Sequence, residues 1–180
     1  MVQSLGDREW FLLKMAALLH RLEDATLILK RMRASNFDIA FIDQTIKHHK
    51  LAVSDIERFA GNQFNESQVY RFTKQGGKEL IPALLLAIAT GYSQNNEQSP
   101  FTQAILKVYD FYIRRYLPAQ EHPALLNGDD LIKQFKLSPS PLFKIVLDQV
   151  EQSRVLGIIK TRKEAETLAK NIIDRKYHGD

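Results

Sequence analysis

The sequence predicts an all-α fold: a multi-helix bundle body followed by a small helical tail module. Three observations carry that expectation. Apolar residues recur at three- and four-residue spacing along most of the chain, helix-capping sequences separate the recurrences, and no alternating apolar–polar run is long enough for a strand.

Taken in order, Asp7 is placed to cap a first helix to about residue 22, where Phe11, Leu12, Met15, Leu18, Leu19 and Leu22 cover a broad apolar face. A second helix over about 25–33 sets Leu27, Ile28 and Met32 against Lys30, Arg31 and Arg33. Ser35-Asn36-Phe37-Asp38 reads as a capping box opening a third helix, expected to end near Lys47-His48-His49-Lys50. Asn65-Glu66-Ser67-Gln68 has the same form and opens a helix through Tyr70 and Phe72, which Gly76-Gly77 breaks. A nearly all-apolar helix over 80–89 follows, with Pro82 in its first turn. The polar residues 92–99 read as a loop. Ser99-Pro100 supplies an N-cap and a proline at the first helical position, and Phe101 to Tyr112 keep helical spacing.

The segment 118–123 reads as a joint, giving a body over 1–117 and a tail module over 118–180. The tail is expected to hold a helix over 129–135 and a second over 142–156 with Gly157 at its C-terminal cap. Thr161-Arg162-Lys163-Glu164, another capping box, opens a last helix to about residue 176.

Composition narrows the function. The chain has 180 residues, 44% hydrophobic and 26% charged, as in an ordinary globular protein of one domain or two small ones. It contains no cysteine, which excludes disulfides and thiolate metal sites and fits a reducing cytoplasm. The opening "MVQSLGDREW" lacks the basic start of a signal peptide. The most apolar stretches are too short to span a membrane. A net charge of +4 leans mildly toward an anionic partner.

The stretch "LLNGDDLIKQFKLSPSPLFKIVLDQVEQSRVLGIIKTRKEAETLAKNII" resembles the C-terminal region of bacterial tRNA nucleotidyltransferases (the CCA-adding enzymes) and their poly(A) polymerase relatives. Their Asn/Thr-Gly-x-Asp-Leu start, Leu-x-Pro-Gly-Pro turn, Gly-x-Ile and Arg-Glu capping turn correspond to residues here. These are Asn127, Gly128, Asp130 and Leu131; Leu137, Pro139, Ser140 and Pro141; Gly157 and Ile159; and Arg162 with Glu164. Ser140 replaces the usual glycine, and Lys144 stands where a second is common. Upstream, "VYRFTKQGGKELIPALLLAIATGY" is similar to the family's Arg-Arg-Phe helix and the helix after it. "ILKRMRASNFDI" with the following His-His pair resembles a shortened His-Asp metal segment. There His20 is a relic position, because Arg21 stands where the acid belongs, and no metal site is expected. Glu23-Asp24 only superficially echoes the family's nucleotide-reading motif.

The resemblance also says where the chemistry lies. The family adds nucleotides with a head domain carrying a Gly-Gly-x-x-Arg-Asp turn and an Asp-x-Asp pair that holds two Mg²⁺ ions. Neither pattern occurs in this chain, so Mg²⁺ and ATP or CTP would belong to a separate or covalently attached head, and this chain alone is expected to be non-catalytic. The body and tail are implied to hold tRNA or a similar structured RNA. Duplex RNA is read by shape and by phosphate contacts, for which lysines and arginines on a rigid helical surface suffice. The candidates are Lys30, Arg31, Arg33, Lys47, Lys50, Arg114, Arg115, Lys144, Arg162 and Lys163, with helix N-termini adding a favourable dipole in the tail. Tyr70, Tyr112 and Tyr116 are expected in the core or at its boundary. The competing expectation is a helical scaffold descended from the same family that binds no RNA.

Overall fold

The computed structural model describes residues 5–61, 65–91 and 99–178. The loop expected over 92–99 lies outside them except for Ser99. All regular structure among the described residues is helical. The chain divides into two compact units, Met1–Ile113 and Arg114–Asp180.

The first unit contains α1 (Asp7–Leu19), α2 (Ala25–Arg31), α3 (Asn36–Gly61), α4 (Glu66–Gly76), a 3-10 turn (Gly77–Glu79), α5 (Leu80–Gly91) and α6 (Pro100–Phe111). At its centre is α3, which packs against α1, α2, α5 and α6. Its 26 residues make a rod of about 39 Å. The helix does not stop at Lys50, as the basic run there suggested. Buried Ile42, Ile46, His49, Ala52, Ile56 and Phe59 form one stripe at three- and four-residue spacing, so the buried face runs straight through the polar segment. Each large apolar member contributes about 1.5–3 kcal/mol of burial. Shortening Ile42 to alanine would cost about 2–5 kcal/mol.

At the start of α3 the expected capping box is present. The Asp38 amide donates to Ser35 Oγ at 3.2 Å, and that hydroxyl donates to Asp38 Oδ2 at 2.8 Å. Arg8 of α1 reaches the same carboxylate at 2.9 Å and lies 5.1 Å from the Phe37 ring centroid, tying the two helices together. Asn65 likewise caps α4 by accepting from the Ser67 and Gln68 amides, and Ser99 caps α6.

α1 departs from expectation at both ends. Gly6 is its N-cap, with Glu9 accepting from the Gly6 amide at 2.9 Å, and Asp7 occupies the first turn. The helix ends at Leu19 rather than 22, because the His20 ring takes the Ala17 carbonyl at 2.7 Å, the acceptor a further turn would need. The buried stripe is Leu12, Leu13, Ala16 and Leu19, while Phe11, Leu18 and Leu22 face solvent. Tyr70 and Tyr112 are buried and Tyr116 is half-buried.

A π-helical turn (Tyr112–Tyr116) leads into α7 (Leu117–Glu121). The second unit continues with α8 (Gly128–Phe135), α9 (Pro141–Val155) and α10 (Arg162–His178). Its core gathers Leu126, Leu131, Leu137, Val146, Val150, Ile159, Ala165, Ala169, Ile172 and Ile173. Several residues of the tail pattern are therefore packing residues. Gly157 adopts φ 74° as expected, and its amide and that of Ile158 donate to the Arg154 and Ser153 carbonyls, closing α9 in a Schellman motif.

Candidate nucleic-acid interface

Lys30, Arg31 and Arg33 gather at the end of α2, all exposed. None has an ion-pair partner among the described residues. The placement is local. α2 closes in a Schellman motif, with the Arg33 and Ala34 amides donating to the Lys30 and Leu29 carbonyls, each at 3.0 Å. Arg33 occupies the left-handed position of that motif at φ 57°, where an arginine costs about 1 kcal/mol. Cations here also complement the C-terminal end of the α2 dipole, so part of their value is to the helix itself.

The other candidates, Arg162 apart, fall into three groups. Lys50, Lys144 and Lys163 are exposed, with no carboxylate partner among the described residues. Lys47 is committed to Asp43 at 2.8 Å, one turn earlier on α3. Arg114 and Arg115 belong to the π-helical turn and are exposed.

Arg162 is already paired with carboxylates of its own unit. Its guanidinium pairs with Asp130 of α8 and, at 3.1 Å, with Glu166 one turn along α10. It is a structural cross-link before it is a phosphate ligand. Two helix starts in the tail, those of α8 and α10, are also filled from within. Asp130 Oδ2 accepts from the Asn127 backbone amide at 2.9 Å, and Asn127 Oδ1 accepts from the Asp130 amide at 3.0 Å. Glu164 Oε2 accepts from the Lys160 and Thr161 amides at 2.7 and 3.0 Å. These amide donors hold both carboxyls below the usual carboxylate range, with Arg162 and Thr161 adding to the effect. Carboxylates thus sit at the starts of α8 and α10, where the dipole was expected to favour a phosphate.

The relic position has a definite geometry. His20, at the end of α1, lies edge-to-face with His49 of α3, ring centroids 5.5 Å apart. Thr90 Oγ1 donates to the Leu86 carbonyl at 2.9 Å, so it accepts from His49 Nε2 at 3.0 Å. That fixes the proton on Nε2 and leaves the buried Nδ1 bare and unpartnered. His20 Nδ1 faces the Ala17 carbonyl at 2.7 Å. Burial, then the neighbouring His20 and Lys50, push the His49 pKa down to about 4. Arg21 is exposed beside the pair, and no group of three or more His, Cys, Asp or Glu side chains suited to a metal occurs among the described residues. Glu23 and Asp24 are exposed ahead of α2, and the Asp24 side chain caps nothing.

Sequence reasoning missed Arg154, whose side chain is only 12% exposed. It donates to the carbonyls of Ala119, His122 and Pro123 at 2.7, 3.3 and 2.9 Å, and to Glu151 at 2.7 Å. Residues 119–123 are thereby fastened to α9 within the second unit. The only signal in the sequence is an arginine on the apolar side of a helix, which is weak.

Fold and site define an all-α protein that leaves one basic helix end unneutralised and spends other cations on its own carboxylates. The model of the family described as tRNA nucleotidyltransferase domain 2 matches residues 6–168, and the chain belongs to that family. No curated protein and no solved structure matches it. No described helix is long and apolar enough to cross a membrane.

Proposed function

We propose that this chain is the tRNA-holding body and tail of a nucleotidyltransferase-type enzyme, with nucleotide addition, Mg²⁺ and ATP or CTP belonging to a catalytic head. The observation that supports it best is the unneutralised Lys30–Arg31–Arg33 cluster in a chain of this family. Three exposed cations on one rigid helix end suit backbone phosphates, whose neutralisation releases counterions. Lys50 in the first unit, and Arg114, Arg115, Lys144 and Lys163 in the second, are further candidates. Lys47 and Arg162 join it only by releasing their carboxylates.

Titration of labelled tRNA at several salt concentrations tests the reading. The log–log slope should be several units, at about 0.7–0.9 per phosphate. Replacing Arg31 and Arg33 with alanine should flatten it by about two units and weaken binding to all RNA sequences alike. A second reading, a helical scaffold, is favoured by exposed Phe11, Leu18 and Met32, at 59, 73 and 60% exposure. No tRNA binding by folded protein at low salt would decide for the scaffold.

A further inference from the structure

Between the second half of α3 and α4 lies a polar groove of about 240 Å³, away from the basic end of α2 in sequence. Its walls are Arg58 from α3 and Gln68, Arg71 and Gln75 from α4; Phe59 and Phe72 contribute to its lining, their rings edge-to-face at 6.2 Å. Gln68, Arg71 and Gln75 follow the spacing of one helix face, so α4 presents them together. Asp55 is the lone acid in the lining, and it holds Arg58 at 3.4 Å in an exposed pair of the kind worth little in water. Arg71 spends only its Nε, on the Ser67 carbonyl at 3.4 Å. Both Nη atoms have no partner among the described residues.

We propose that this groove takes one unpaired purine nucleotide of a bound RNA, its phosphate between Arg58 and Arg71 and its base edge on Gln68 and Gln75. The inference rests on the RNA-holding reading above and names a further contact for it. Guanidinium forks match phosphate oxygens two at a time. A glutamine amide offers one donor and one acceptor, the pattern an adenine edge complements. At about 240 Å³ the groove is too small to enclose a whole nucleotide, but as a shallow seat it can take a base edge beside its phosphate, which an unpaired residue offers and a duplex, whose base edges stay in its grooves, does not. Two arginines against one carboxylate leave the groove cationic, and amides that both donate and accept are better used by a base than by an acidic peptide.

The test uses the full chain and three labelled RNAs: six-residue oligo(A), an abasic oligomer of the same length, and a blunt hairpin duplex. Wild type should bind oligo(A) about tenfold tighter than the abasic strand, the discrimination of one good bidentate base contact. Arg58→Gln with Arg71→Gln should lose about tenfold on oligo(A) and under twofold on the hairpin. Gln75→Ala, which alters no charge, should narrow the oligo(A)-to-abasic ratio at an unchanged salt slope. A folded double variant that keeps its oligo(A) affinity overturns the groove as a nucleotide site. If that happens while wild type still binds tRNA, the RNA-holding reading survives. Wild type that binds neither tRNA nor oligo(A) sinks both.

Discussion

Arg162 and Asp130 join the first turns of α10 and α8 across 32 residues of sequence, guanidinium on carboxylate. The pair consumes a cation that sequence alone would offer to a phosphate. Arg162→Ala should therefore lower the thermal midpoint of the protein by a few degrees while changing tRNA affinity less than twofold. Lys144→Ala should do the reverse. Asp130 and Glu164, both held below their ordinary pKa, contribute stability that is present above about pH 4 and lost as pH falls through their folded values. Arg162→Ala should blunt part of that acid limb, as followed by circular dichroism.

His49 sets a second, milder pH dependence. Its pKa is about 4 in the fold against the ordinary histidine value of 6.5, so the unfolded chain binds more protons between those values. Stability should accordingly be complete above about pH 6.5, fall by about 2 kcal/mol by pH 5 and by about 3 kcal/mol near pH 4. Urea unfolding at pH 7.5 and pH 5 measures it. His49→Gln, which can keep a donor for Thr90, should remove most of the difference; an unchanged difference would place the titration elsewhere.

Arg154 should be the costliest surface-adjacent arginine to replace. Loss of its carbonyl and carboxylate bonds, with those acceptors left partly buried, should destabilise the second unit by about 2–4 kcal/mol in Arg154→Ala. Arg154→Lys should recover little, because one ammonium cannot reproduce a planar fork that bridges three carbonyls. Hydrogen exchange at residues 118–123 would report the loosened segment directly.

Arg33 separates stability from binding. Arg33→Gly relieves the left-handed strain at φ 57° but adds freedom to the unfolded chain, for a net gain of about 0.5 kcal/mol. The same variant should weaken tRNA binding and reduce the salt slope by about one unit. A more stable protein with undiminished binding would remove Arg33 from the interface.

What the sequence disclosed was local. The boxes at Ser35–Asp38 and Thr161–Glu164, the caps Asn65 and Ser99, and Gly157 each act within a few residues, so their chemistry is written where it operates. The passage of α3 through Lys47–Lys50 was hidden because a basic, polar run resembles a helix end, and only a packed partner reveals that His49 faces inward. The His20–His49 contact, the Arg154 bonds and the Arg162–Asp130 pair join residues far apart in sequence, and no pattern of spacing encodes them. Charge type identified the candidate cations, but whether each was already spent depended on carboxylates brought in by folding.

The unbroken length of α3 turns the first unit into a caliper. One jaw is the basic end of α2, three residues before the rod begins; the other is Arg58, 22 residues along it, about 33 Å away by helical rise. Arg58 lies on the rod and Arg33 three residues before it, so a ligand gripping both must span about that length. Affinity for RNA fragments should then rise in a step, once a fragment is long enough to bridge the span, rather than smoothly with each added nucleotide.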